Sequence, residues 1–204
     1  MFQEYPRPFY LPYLLISYQE AYCILNSDDA YCAFRPPFDK LLRPFFEGNS
    51  NRTLDELNKL MPKIPKDVVK DSLINLYVTD PNFAFKKRLG ENSLTDWVPE
   101  APVQLCYCKG DREVNYKNSE VAYTNMKALG AKHVKLNNLS NSLDHNTCAG
   151  FAVLATKYYF DRFRKHGKNP KMKDVPAFKK FLISFVKRGE EKKYKKEKHD
   201  KAYL

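Results

Sequence analysis

The sequence predicts an α/β chain in which a helical first half is followed by a terminal β-α-β-α unit and a basic C-terminal helix. Three observations carry that reading. Residues 1–100 show helix-like apolar spacing punctuated by prolines, with no convincing strand alternation. Residues 103–108 and 134–139 are short apolar runs on either side of a helical stretch that ends at Gly130. Charge collects at the end: of a net +11, residues 161–204 hold 16 Lys/Arg against 6 Asp/Glu.

In the first half, residues 11–25 read as a helix, because Pro12 suits a first turn and Leu14, Leu15, Tyr18, Ala21, Tyr22 and Leu25 make a broad apolar face. Thr53 is placed to cap a second helix running to Leu60, with Glu56 closing a capping box. Pro65-Lys66-Asp67 opens a third, carrying Val68, Val69, Leu73 and Leu76. The character changes between Pro99 and Pro102. Residues 103–108 form a strand, Asn118 or Ser119 can cap the helix that stops at Gly130, and residues 134–139 form a second strand. Together they make one βαβ unit, for which a right-handed crossover is the default. Residues 149–163 return to helical spacing through Phe151, Leu154, Ala155, Tyr158 and Tyr159. After Gly167 and Pro170, a last helix sets Phe178, Phe181, Leu182, Phe185 and Val186 on one face, opposite Lys179, Lys180, Ser184, Lys187 and Arg188.

With 43% hydrophobic and 14% aromatic residues the chain can build a core. Outside the tail the charge nearly balances, 19 basic against 18 acidic residues, so the basic character belongs to residues 161–204 and no nucleic-acid partner is expected. No run of about 18 apolar residues offers a transmembrane segment, and the first residues lack the basic-then-apolar profile of a secretion signal, so the chain as written carries no address. The cysteines, Cys23, Cys32, Cys106, Cys108 and Cys148, are too sparse for a disulfide scaffold and read as buried thiols. Cys106 and Cys108 share a strand face and Cys148 lies near His145, a weak metal pattern; no metal and no cofactor is expected.

The chemistry concentrates in residues 101–145. Gly110-Asp111-Arg112-Glu113-Val114 follows the first strand, and Asp144-His145 follows the second. Parallel strands deliver both loops to one edge of a sheet, where a His can move a proton while an acid fixes its tautomer and stabilises the imidazolium. Asp144, adjacent to the His, is the weaker choice of acid.

Strand, acid turn, helix, strand and His loop in this order resemble the C-terminal end of the α/β-hydrolase fold, whose triad runs nucleophile, acid, His along the chain. The family's pattern of Asp, two residues, Val, then a turn and a small helix cap is matched by Asp111, Val114 and Asn118-Ser119; Asn115 stands where members often have Pro. The resemblance implies Asp111 as catalytic acid and His145 as catalytic base. Upstream, Phe9-Tyr10-Leu11-Pro12-Tyr13-Leu14 with Tyr18, and the run from Leu89 through Trp97 to Pro99, are similar to the helical lid and lid-to-core return of secreted bacterial esterases, lipases and prolyl-oligopeptidase-type enzymes. Tyr13, Phe83 and Trp97 are then either cleft lining or lid core. On this resemblance the fold is an incomplete α/β-hydrolase fold. Residues 1–98 are the helical lid or cap, 99–165 the C-terminal part of the core, and 166–204 the basic amphipathic helix and tail. The resemblance also implies a small ester or peptide substrate in the complete enzyme, and a parent family often exported in bacteria.

No Gly-x-Ser-x-Gly occurs. The serines, at 17, 27, 50, 72, 93, 119, 140, 142 and 184, lack a strand-to-helix elbow and a Gly-rich oxyanion segment. Ser50, after Gly48, and Ser93 are the nearest approaches; Cys108 and Cys148 lie near His145 without an elbow. The expectation is therefore a C-terminal fragment of a serine hydrolase, inactive alone and needing a complementing N-terminal half. The reading from a different class is a non-catalytic helical binding module whose basic tail meets an acidic surface, membrane or nucleic acid.

Overall fold

In a computed structural model, which describes residues 2–48, 51–166, 184–192 and 195, the chain divides into two units, Met1–Ser93 and Leu94–Leu204. The first is helical. Helix α1 (Tyr10–Tyr22) carries Pro12 in its first turn, where a missing N–H costs nothing. It stops before the expected Leu25 because Cys23 turns left-handed at φ 51° and the Gln19 side chain holds the segment beyond it. The Gln19 amide, almost fully buried, donates to Ser27 O (2.8 Å) and accepts from Leu25 N–H (2.7 Å). A 3₁₀ turn at Ala30–Ala33 and two short helices, α2 (Phe38–Leu41) and α3 (Arg43–Phe46), lead to α4 (Leu54–Leu60). There Thr53 and Glu56 form the expected capping box, at 3.2 and 2.9 Å.

The helix expected from Pro65 through Leu76 is two pieces. A 3₁₀ turn, Pro65–Val68, gives way to extended backbone at Val69 and Lys70, and α5 (Asp71–Thr79) begins only afterwards. Tertiary pairing overrides the local preference: Arg35 N–H donates to Val68 O (2.9 Å), Lys70 N–H to Ala33 O (3.0 Å), and the Arg35 guanidinium to Val69 O (2.6 Å). Helix α6 (Ala84–Glu91) closes the unit, whose core centres on Phe34, Leu42, Leu57 and Val68. Phe83 is core, whereas Tyr13 and Trp97 are about half exposed.

The second unit contains β1 (Val103–Cys108), α7 (Lys117–Ala128), β2 (Val134–Ser140) and α8 (His145–His166). Among the described residues β1 and β2 make a two-stranded parallel sheet, in register from Val103 opposite Val134, with a slip near its end where Cys108 meets Ser140. A parallel sheet needs both faces covered. Val103 and Leu105 pack with Met126, Ala131 and Val134 on the α7 side, and Cys108 and Leu139 with Leu143 and Cys148 on the α8 side. Helix α7 starts at Lys117, ahead of the expected caps Asn118 and Ser119, because Asn115 Oδ1 accepts from Lys117 N–H (3.0 Å). It ends as expected at Gly130, whose φ of +94° permits paired bonds from Gly130 N–H to Lys127 O and Ala131 N–H to Met126 O.

Helix α8 starts at His145 itself, four residues before the expected Ala149. Of the predicted tail helix, Phe178, Phe181, Leu182, Lys179 and Lys180 lie outside the described residues. Residues 184–192 are helical and leave Phe185 and Val186 largely exposed. No helix among the described residues is long and apolar enough to cross a membrane.

Candidate active site

Because β1 and β2 are parallel, the turn after β1 and the loop after β2 leave the same edge of the sheet. Lys109 N–H extends the ladder to Ser140 O at 2.9 Å. Then comes Gly110, where a Cβ would lie 2.4 Å from Ser142 C and 2.7 Å from Leu143 O. Only a residue without a side chain lets the acid turn rest on the backbone that leads to His145.

Asp111 is next in the chain, and its carboxylate is used on both sides. Oδ1 accepts from the N–H groups of Glu113 (2.8 Å) and Val114 (2.9 Å), and Oδ2 lies 2.9 Å from His145 Nδ1. The Asp111 side chain is only 10% exposed and that of His145 36%, so the acid is enclosed while the imidazole reaches the surface. With the carboxylate ionised, which can only accept, and the ring neutral, the shared proton sits on Nδ1 and Nε2 is left as an acceptor. The structure thus brings together the two residues singled out from the sequence, 34 positions apart.

Asp144 has a different task. Its Oδ1 accepts from Thr147 N–H (2.8 Å) and its carbonyl from Cys148 N–H (2.9 Å), so it caps the helix that carries His145. Tyr107, on β1, stacks on Tyr116 beyond the acid turn, with ring centres 5.9 Å apart. Burial, together with the Glu120 carboxylate that accepts its hydroxyl at 3.3 Å, pushes the Tyr107 phenol up, which keeps it a neutral donor.

The cysteines depart from expectation. Cys108 and Cys148 are not buried thiols; they are joined in a disulfide with Cα atoms 6.0 Å apart, which removes both as nucleophiles or metal ligands. The physical reason is the register: Cys108 closes β1 on the α8 side, and Cys148 sits in the first turn of α8 facing it. Cys23, Cys32 and Cys106 are free. Cys106 accepts a bond from the Gln104 amide at 3.2 Å. Among the described residues no group of three or more His, Cys, Asp or Glu is arranged to hold a metal.

Among the described residues no serine hydroxyl bonds to His145. Ser93 is exposed in the turn after α6, Ser50 lies outside the described residues, and Ser140, at the end of β2, bonds to the Glu191 carboxylate. Sequence reasoning missed the close approach at Gly110 and the disulfide. A signal for the latter was present: the two cysteines flank the acid and the base, each three residues away.

No protein-family model and no curated protein sequence matches the chain. Among solved structures it is similar to a Legionella pneumophila protein described as a candidate hydrolase, with a TM-score of 0.68 and 26% identity over 79% of this chain and 42% of that one. It is also similar to the rice cell wall degrading esterase LipA from Xanthomonas oryzae. A ligand-bound form of LipA gives a TM-score of 0.58 and 22% identity over 66% of this chain and 35% of that one; another LipA structure gives 0.58 and 22% over 74% and 40%. The chain therefore spans about two fifths of the length of the structures it matches. Its mixed helix and strand arrangement, with the small parallel sheet, is a hydrolase- and esterase-like fold.

Proposed function

We propose that the chain is the C-terminal portion of a serine hydrolase of the α/β-hydrolase type that acts on carboxylic esters or peptides, and that it is inactive alone. The observation that carries this reading is the Asp111–His145 contact, with the second Asp111 oxygen held by two backbone N–H groups. That is the geometry an acid needs to hold an imidazole in one tautomer. In the working enzyme, His145 Nε2 takes the proton from a serine supplied by an upstream segment, Asp111 stabilises the imidazolium, and His145 returns the proton to the leaving group. Residues 1–98 are then the lid or cap, 99–165 the end of the core, and 166–204 a basic helix and tail. Two facts support the fragment reading: the absence of Gly-x-Ser-x-Gly, and a span of 42% of the Legionella protein.

The test is hydrolysis of short and medium p-nitrophenyl esters by the chain alone and by the chain joined to the segment encoded upstream of it, which on this reading carries Gly-x-Ser-x-Gly. Alone, the chain turns over no faster than its His145→Ala variant. Joined, it is active, and His145→Ala or Asp111→Asn lowers kcat by on the order of 10⁴. Activity of the isolated chain that His145→Ala abolishes overturns the fragment reading. A joined protein inert to esters and peptides alike overturns the hydrolase reading.

A further inference from the structure

We propose that the Cys108–Cys148 disulfide is a positioning clamp for the Asp111–His145 pair, so that the pair is assembled only while the two cysteines are oxidised. The inference rests on the acid and base roles given to that pair above. Cys108 ends β1 three residues before Asp111, and Cys148 lies in the first turn of α8 three residues after His145. The bond therefore ties the strand that delivers the acid to the helix that delivers the base, at the end where the 2.9 Å contact forms.

Among the described residues the polar contacts near that end are few besides the pair itself: Lys109 N–H bonds Ser140 O (2.9 Å), and Cys106 Sγ on β1 lies 3.9 Å from Thr156 Oγ1 on α8. Among the described residues, the apolar packing around the disulfide consists of Leu143, with Leu139 and Phe151 only partly buried against it. The Gly110 turn meets the Ser142–Leu143 backbone by close approach, which limits how near the loops come without holding them together. The His145 side chain is 36% exposed and its partner is one carboxylate oxygen, so its place depends on where the first turn of α8 is held. Disulfides persist in oxidising compartments, so the clamp also places the folded working protein outside a thiol-reducing cytosol.

A dithiol reductant opens the clamp in a balanced step. The S–S bond breaks, Cys108 and Cys148 each gain an electron and a proton, and the dithiol loses two of each as its own sulfurs close into a disulfide.

The experiment uses the full 204-residue chain, labelled at histidine nitrogens, in the absence of any substrate. Alkylation and mass measurement first count free thiols: three, at Cys23, Cys32 and Cys106, before reduction and five after it. Nitrogen NMR then reads the neutral His145 ring. The oxidised chain shows a single Nδ1-protonated tautomer. Dithiothreitol, or the double change Cys108→Ala with Cys148→Ala, brings loss of that single tautomer, while the β1–β2 ladder amides stay protected from exchange; Cys106→Ser changes nothing.

Cys108 and Cys148 that alkylate freely in the native protein overturn the proposal. So does a His145 tautomer that survives reduction, or ladder amides that lose protection with it, since the bond would then hold the whole unit and not the pair. Because activity is not read, a joined protein that hydrolyses neither ester nor peptide sinks the hydrolase reading while leaving the clamp standing.

Discussion

At Gly110, one absent methyl group sets how closely the two loops of the candidate site can approach. A Cβ there meets backbone atoms of Ser142 and Leu143 at 2.4 to 2.7 Å, and backbone cannot rotate away as a side chain can. Gly110→Ala should destabilise the second unit by about 1–3 kcal/mol, as overpacking does, and part Asp111 from His145. Urea unfolding of the joined protein and the His145 tautomer read the two effects; an unchanged midpoint would show that the loops part freely. In the first unit, Asp29 is held below the usual carboxylate range, chiefly by the Tyr31 N–H and also by Arg43, whose guanidinium lies 2.5 Å away. A carboxyl lowered on folding contributes stability that is present above its unfolded pKa and lost as pH falls through its folded one. Asp29→Asn keeps an acceptor but loses the charge. It should therefore cost under about 1 kcal/mol at neutral pH, given the half-exposed pair, and nothing in acid. Parallel pH titrations of stability decide this; a cost that persists in acid would mean the charge is irrelevant. At this scale the meeting of Asp111 and His145 was legible, because each follows one of two parallel strands whose ends leave the same edge of the sheet. The close approach at Gly110 was not, because it depends on a distance across 32 residues that spacing does not encode, and the disulfide was signalled only by the matching three-residue offsets of Cys108 from Asp111 and Cys148 from His145.

Helix ends show where local sequence suffices. The Thr53–Glu56 box closes within four residues, so pattern and structure agree. The helix expected from Pro65 fails for the opposite reason: the groups that stop it, Ala33 and Arg35, lie some 35 positions upstream. At α8 the small residues Ala149 and Gly150 suggested a start, but Asp144 offers a side-chain acceptor and moves it forward by a full turn. That shift puts His145 on a helix, where its backbone is fixed, and not on a free loop. Asp144→Ala should cost about 1 kcal/mol, the usual worth of such a cap, and Asp144→Asn almost nothing, since Asn caps equally well. The contrast with Asp111 is diagnostic in the joined enzyme: Asp144→Asn keeps activity and Asp111→Asn loses it. Matching losses at the two positions would return Asp144 to contention as the acid.

For the molecule as a whole, the alternation of helix and strand was readable from periodicity, because short apolar runs flanked by turn residues are strong signals. What covers the sheet was not readable. Among the described residues β1 pairs only with β2, so its other edge presents backbone N–H and C=O groups without a strand partner. Among the described residues, the second unit's two core clusters hold three buried residues each, against sixteen in the first unit, so little described apolar burial backs the two-stranded parallel ladder. An open edge of that kind invites pairing with another chain. On the fragment reading, the chain alone should therefore self-associate as its concentration rises and unfold without a sharp transition, whereas joined to an upstream segment that supplies the neighbouring strand it should sediment as a single species and melt cooperatively. Sedimentation velocity and thermal unfolding on both forms carry the test. A monomeric isolated chain with one cooperative melt would mean that the edge is already satisfied within these residues, and the case for a missing strand, and with it for a missing nucleophile delivered beside that strand, would fall.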